Sequence, residues 1–258
     1  MTVTPKPSLT VMDHPLVDHK LSILRDRGTP SHAFRQTLHE LSWLLAHPTF
    51  TALRTEAVEI DTPLETMTAR QMRPPYPCVV SILRAGNGLV DGFSQVCPEA
   101  SVGHLGLYRD HDTMAPVSYY SSLPSDIAAR QVILGDPMLA TGGSAVMALD
   151  KLREIGVADI VFACLVAAPE GVATLHGAHP DVPIVTAALD RELNDSCYIL
   201  PGLGDGGMLC TPCGACRQRI REFGKADTPV LVCGPEGLMR RFALGELLPE
   251  SFGPENLG

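Results

Sequence analysis

Apolar and polar positions follow two different rhythms along this chain of 258 residues. Between residues 24 and 45 the period is helical. Phe34, Leu38, Leu41 and Leu45 fall on one stripe with polar residues between them, which predicts an amphipathic helix. From residue 78 the rhythm changes to short, almost unbroken apolar runs rich in β-branched residues, at 78–83, 102–107, 131–134, 160–167 and 183–187. Runs of this kind belong to strands covered on both faces. Between the third and fourth runs, residues 144–155 return to helical spacing, with Val146, Leu149 and Leu152 as an apolar ridge and Gly156 as the terminating glycine. Strand, helix and strand in that order require a right-handed crossover. They predict an α/β fold with a mostly parallel sheet flanked by helices.

Open parallel sheets bind ligands beyond the carboxyl ends of their strands, and the chemistry-bearing residues fall there. Arg84 follows the first run, Arg109 the second and Asp136 the third. The segment Asp136-Pro137-Met138-Leu139-Ala140-Thr141-Gly142-Gly143-Ser144-Ala145 then joins strand to helix. Adjacent glycines let backbone N–H groups approach an anion, Thr141 and Ser144 add hydroxyl donors, and the new helix adds the positive end of its dipole. A plain turn closed by a serine N-cap has the same composition. The Gly-Lys-Ser/Thr ending of a P-loop is missing, and no GxGxxG follows a strand. Asp136 supplies an acceptor for sugar hydroxyls beside the cradle, so the pair describes a ribose 5-phosphate site. Each arginine alone fits a surface ion pair; together at equivalent strand ends they fit a diphosphate clamp.

Composition narrows the class. The chain is 45% hydrophobic, enough to bury a full core, and its net charge of −9 with scattered basic residues argues against a nucleic-acid surface. No apolar stretch approaches a membrane span, and the N-terminus has no apolar h-region, so a cytoplasmic protein is expected. Of the eight cysteines, Cys78 and Cys164 sit inside apolar runs and are expected to be buried thiols, whereas Cys210, Cys213 and Cys216 cluster near the end.

Taken together, these motifs resemble the uracil phosphoribosyltransferase family of type I phosphoribosyltransferases. The likeness rests on DPMLATGGSA at 136–145, with Asp136 followed by Pro137 where most relatives carry two adjacent acids. It is extended, in order, by His14-Pro15-Leu16, His19-Lys20-Leu21, Ile82-Leu83-Arg84-Ala85-Gly86, Gly106-Leu107-Tyr108-Arg109, Ala167-Ala168-Pro169-Glu170-Gly171 and Tyr198-Ile199-Leu200-Pro201-Gly202-Leu203-Gly204-Asp205. The resemblance implies the type I phosphoribosyltransferase fold over residues 1–207. It implies transfer of 5-phosphoribosyl from 5-phospho-α-D-ribose 1-diphosphate to uracil, giving UMP and diphosphate, with Mg²⁺ accompanying the donor, GTP binding and a homo-oligomer as partner state. It also implies that Arg84, Arg109, Asp136, Pro137, Met138, Leu139, Ala140, Thr141, Gly142, Gly143 and Ser144 bind the donor, with unusual peptide geometry around Arg84-Ala85. Ile199, Gly204, Asp205 and Gly206 would bind the base and its surroundings. Asp136, Arg109 and Asp205 would carry the catalytic roles.

Two stretches depart from that pattern. The family continues Asp-Ala-Gly-Asp where this chain reads Asp205-Gly206-Gly207-Met208, and Ala46-His47-Pro48-Thr49-Phe50 replaces a different helical stretch, read as altered packing or assembly. Beyond it, residues 208–258 resemble the C-terminal half of cytidine deaminases, through Cys210-Thr211-Pro212-Cys213-Gly214-Ala215-Cys216-Arg217-Gln218, Leu244-Gly245-Glu246-Leu247-Leu248-Pro249 and Ser251-Phe252-Gly253-Pro254. That likeness implies zinc on Cys213 and Cys216, with Cys210 or Cys233 as further ligands. Deamination also needs a His/Cys-x-Glu motif. Only Cys97-Pro98-Glu99 matches, ahead of a transferase strand, so this tail is an appendage rather than a deaminase. A bifunctional fusion and a non-catalytic nucleotide sensor are the alternatives.

Overall fold

The computed structural model describes residues 8–51, 53–109, 116–203, 225–234 and 237–248, without the side chains of residues 108–109, 116–118, 232–234 and 237–239. The chain divides into two compact units, residues 1–203 and 204–258.

In the first unit the elements run β1 (Leu9–Val11), α1 (Pro15–Arg25), α2 (Ser31–Thr49), β2 (Thr55–Asp61), β3 (Thr66–Met72), β4 (Cys78–Leu83) and α3 (Asn87–Val96). They continue with β5 (Ser101–Arg109), β6 (Pro116–Ser122), a 3₁₀ turn (Ile127–Ala129), β7 (Gln131–Gly135), β8 (Met138–Leu139) and α4 (Gly143–Glu154). The last are β9 (Asp159–Ala167), α5 (Pro169–Ala178), β10 (Ile184–Leu189), β11 (Glu192–Leu193) and β12 (Ile199–Leu200). The main sheet has the order β1-β10-β9-β7-β4-β5-β6, with β8 also paired to β9. Every pair in it is parallel except β5 with β6, which closes one edge.

Strand alternation sends side chains to two separate cores. Cys78, Val80, Ile82, Val132, Leu134, Ile160, Phe162 and Cys164 meet Ala145, Ala148, Leu149 and Leu152 of α4 and Leu175 of α5. Val79, Ile133, Val161, Ala163 and Leu165 meet Val17, Leu21 and Leu24 of α1, Leu41 and Leu45 of α2, and Leu89, Val90 and Phe93 of α3. Four of the five apolar runs are therefore strands buried on both faces, as their composition predicts; the run at 102–107 is not, because β5 buries Leu105 and Leu107 in one core and leaves Val102 exposed on its other face. Burial pushes the thiols of Cys78 and Cys164 up to about 12, so both stay as neutral apolar fillers.

The helix expected over residues 24–45 is two helices. Asp26 ends α1, its Oδ1 accepting the Gly28 N–H at 2.8 Å, and Thr29 donates from Oγ1 to the Ile23 carbonyl at 2.6 Å. Pro30 then stands as the N-cap of α2. Periodicity runs through this turn because Leu24 and the α2 stripe face the same core. Near the far end, Pro48 lies in the last turn of α2, where the helix is already stopping, while Ala46 and Thr49 are buried and Phe50 packs edge-on to Phe93 at 5.8 Å. The stretch 46–50 thus acts in packing between α2 and α3.

Helices α2 and α3 approach closely because α3 carries Gly88 and Gly92 one turn apart. A Cβ on Gly92 would sit 2.4 Å from Ser42 Cβ, and one on Gly88 would sit 2.4 Å from Leu38 Cδ2. In the second unit, β13 (Pro229–Gly234) and β14 (Gly237–Ala243) form an antiparallel hairpin followed by α6 (Leu244–Leu247), packed through Val230, Phe242, Leu244 and Leu247. The Glu246 carboxylate accepts the Ala243 N–H at 2.7 Å, closing the entry to α6.

Substituting Gly92 by alanine must push α2 away from α3. A loss of about 1–3 kcal/mol is expected from overpacking, measured as a fall in the denaturation midpoint relative to the native sequence.

Candidate functional site

Strands β7, β4 and β5 lie side by side, so their carboxyl ends share one edge of the sheet. The register sets Ser81 opposite Gly135 and Leu83 opposite Gly106. Asp136 and Arg84 therefore leave adjacent strands at nearly the same level. Arg84 is exposed, and the peptide bond Leu83–Arg84 is cis, one bond before the expected Arg84-Ala85. The turn that follows packs directly on the end of β7. A Cβ on Gly86 would lie 2.5 Å from the Gly135 carbonyl oxygen and 2.8 Å from that of Ile82, so glycine is required. Beside it the Ser81 hydroxyl donates to Asn87 Oδ1 at 2.8 Å, tying the end of β4 to the first residue of α3. Arg109 is the last residue of β5 rather than the residue after it, because the β5–β6 ladder extends to Arg109 opposite Pro116.

The segment after β7 is held from below by β9. The Pro137 carbonyl accepts the Leu165 and Val166 N–H groups at 3.0 and 3.2 Å, Met138 and Leu139 pair with Val166 and Ala167, and Leu139 accepts from Ala168 N at 2.9 Å. Leu139 is buried, while Met138 and Thr141 face solvent. Gly142 takes φ +82° and is the N-cap of α4, and no side chain caps this helix. The N-cap is thus a left-handed glycine, not Ser144, which is the second residue of the helix. Uncapped N–H groups at a helix start, reached through two glycines, form an anion cradle.

Residue Gly171, in the first turn of α5, is part of this arrangement though the sequence offered no role for it. A Cβ there would stand 2.4 Å from the Ala140 carbonyl oxygen and 2.6 Å from that of Leu139. The loop is seated on the bare backbone of α5. This accounts for the glycine in Ala167-Ala168-Pro169-Glu170-Gly171.

Asp136 sits where this loop begins, its N–H bonded to the Ala163 carbonyl at 3.1 Å. Burial pushes its carboxyl up to about 7, and a hydrogen bond from the Met138 N–H opposes that rise. Near neutral pH the carboxyl therefore changes its proton occupancy readily.

Across the same sheet edge, β11 and β12 form a small antiparallel ladder, with Leu193 opposite Ile199. The Ile199 side chain is buried in the core shared with α1–α3, so only its backbone remains for any contact outside that core. Leu200–Pro201 is cis and Gly202 takes φ +62°. Gly204, Asp205, Gly206, Cys210, Cys213 and Cys216 lie outside the described residues. Among the described residues no cluster of three or more His, Cys, Asp or Glu side chains is placed to hold a metal, and no helix is long and apolar enough to cross a membrane.

The family model for uracil phosphoribosyltransferase matches residues 11–208. The chain belongs to the uracil phosphoribosyltransferase family. Relatives include a uracil phosphoribosyltransferase of Acidovorax ebreus, 54% identical over 76% of this chain and 94% of its own length. The enzyme of that name from Lactiplantibacillus plantarum is 50% identical over the same shares. Among solved structures, the AQ2163 protein from Aquifex aeolicus superposes with a TM-score of 0.71 at 34% identity, covering 77% of this chain and 95% of that one. The fold is the type I phosphoribosyltransferase architecture: a mostly parallel sheet, helices on both faces, and the loop after β7 at its carboxyl edge. Residues 209–258 lie beyond the family match.

A partly buried carboxyl with a raised pKa has a defined effect on stability. Below about pH 4 Asp136 is protonated folded and unfolded and contributes nothing; between about 4 and 7 only the folded form keeps the proton, so stability falls as pH rises. The ceiling on this loss is about 4 kcal/mol. Asp136→Asn is therefore expected to raise the unfolding midpoint at pH 8 while leaving it unchanged at pH 4, a comparison made by thermal denaturation of both proteins.

Proposed function

We propose that this protein transfers the 5-phosphoribosyl group of 5-phospho-α-D-ribose 1-diphosphate to N1 of uracil, producing UMP and diphosphate. The observation that carries this reading is the uncapped start of α4 beside Asp136, at a sheet edge shared with Arg84, in a chain of the uracil phosphoribosyltransferase family.

The bond that breaks joins the anomeric carbon to the diphosphate, and the bond that forms joins that carbon to N1 of uracil, which loses its proton. Positive charge grows on the ribose and negative charge on the departing diphosphate, as in glycoside chemistry. Residues Ala140 to Ser144 hold the 5-phosphate away from the reacting centre, using backbone N–H groups and the Thr141 and Ser144 hydroxyls. Binding energy gained there orients the ribose for reaction. Asp136 in its ionised form accepts hydrogen bonds from the ribose hydroxyls. Arg84 and Arg109 meet the diphosphate oxygens as they gain charge.

Mg²⁺ fits this site as a companion of the donor: diphosphate oxygens and water suit its octahedral oxygen coordination, while no described cluster of side chains would capture it alone. When bound it supplies neutralisation of the leaving group. The family resemblance assigns uracil recognition to Ile199 and to Gly204–Gly206, with Asp205 serving the donor or its metal. Residues 208–258 are an appendage to this one activity. Assembly as a homo-oligomer in the cytoplasm is part of the same reading.

Incubation with uracil, the diphosphate donor and Mg²⁺ is expected to yield UMP, detected by chromatography; no UMP would overturn the proposal. Arg109→Ala and Asp136→Asn should each lower kcat/KM by about 10²-fold or more, in the range seen when transition-state donors or charge partners are removed. Because the Asp136 carboxyl titrates near 7, KM for the donor should fall as pH rises from 6 to 8 in the native protein. In Asp136→Asn that dependence should disappear.

A further inference from the structure

The residue that leads from β12 toward the proposed base-reading segment is clamped by an ion pair from distant parts of the chain. Gly202 donates its N–H to Asp190 Oδ2 at 2.8 Å, and its carbonyl accepts from Arg25 Nη1 at 3.0 Å. The same Arg25 Nη1 reaches Asp190 Oδ2 at 2.9 Å while Nη2 reaches Oδ1 at 2.7 Å. Both backbone polar groups of one residue are thus fixed by a single bidentate guanidinium–carboxylate pair. Arg25 is the last residue of α1, held by Leu21 and Leu24 in the core; Asp190 directly follows β10, and its N–H is bonded to the Ala167 carbonyl at 2.8 Å.

Stability alone does not account for such a pair. The Asp190 side chain is only 4% exposed, and a buried ion pair gains little over apolar residues of the same volume. What it supplies and apolar residues do not is direction, because the planar fork and the carboxylate each fix a backbone group in orientation. The clamped residue has no slack of its own. Gly202 stands at φ +62°, and a Cβ on it would lie 2.4 Å from the Ile199 carbonyl oxygen.

We infer that Arg25 and Asp190 are positioning residues for the pyrimidine acceptor, fixing the backbone that reads uracil while leaving the donor site untouched. The inference rests on the base-reading role proposed for residues 199–206. The donor loop is anchored independently, on β9 and α5, through Leu139, Ala140 and Gly171. Loss of the clamp should therefore divide the two substrates. A merely structural ion pair would weaken both together.

The test measures steady-state kinetics for both substrates in Arg25→Ala, Arg25→Lys and Asp190→Asn, with hydrogen exchange of the peptide spanning 199–203 in the same proteins. Expected in Arg25→Ala are a KM for uracil raised about tenfold to a hundredfold, as for a displacement near 1 Å, a donor KM within about twofold of native, and faster exchange at 199–203. Arg25→Lys, which keeps the charge but not the fork, should fall between and remains informative if the alanine variant does not fold. Equal losses for both substrates, or native exchange at 199–203 in every folded variant, would overturn the positioning role. Faster exchange with native uracil kinetics leaves the clamp real and overturns the assignment of residues 199–206 to the base.

Discussion

The loop after β7, the proposed donor site, depends on the end of β9. Its last residues accept β8 as a parallel neighbour, receive the Pro137 carbonyl and pass directly into α5, whose Gly171 forms the floor beneath Leu139 and Ala140. A loop of ten residues would ordinarily wander, and loops that bind phosphate must instead hold several N–H groups in one direction. Here the Asp136 N–H and the Pro137 and Leu139 carbonyls are bonded to β9, a strand that is itself buried on both faces, and to the residue after it. The cradle inherits the rigidity of the central sheet.

That sheet follows from the alternation of two apolar surfaces along each strand. Val80 and Val79, Leu134 and Ile133, Phe162 and Val161 point to opposite cores, so neither face can be exposed without losing the other's packing partners. Helices must therefore cover both sides, and parallel strands with covering helices bring their carboxyl ends to one edge. Arg84 and Asp136 arrive there through topology, without any attraction between them. Asp136 is accordingly left in a desolvated position, which raises its pKa and makes its charge conditional on proton supply.

What could be read in the sequence was the local chemistry with short range. The runs at 78–83, 131–134 and 160–167 appear as β4, β7 and β9 within a residue of their expected ends, because a doubly buried strand is almost wholly apolar and admits a polar residue such as Ser81 only with a bonded partner. Gly156, at φ +88°, ends α4 as its position predicts. Less legible was the break at Asp26–Pro30, where the apolar period continues across a turn held by side-chain bonds to the backbone. The role of Gly171 was hidden for a similar reason: nothing near it in the chain speaks of the Ala140 carbonyl it must admit. Arg25 and Asp190 are separated by 165 positions and sit in unremarkable local sequence. Only the fold brings them to Gly202.

The separation has a consequence in time. A chain emerging from the ribosome completes β4, β7, β9 and α5, and with them the seat of the donor loop, well before residue 202 is made. Arg25 is made early, and its partners Asp190 and Gly202 follow only near the end of the first unit. Within the first unit the clamp at Gly202 is assembled last, when the residues after β12 return to the end of α1. A chain interrupted before residue 190 would accordingly hold the seated loop after β7 and no clamp for the backbone after β12.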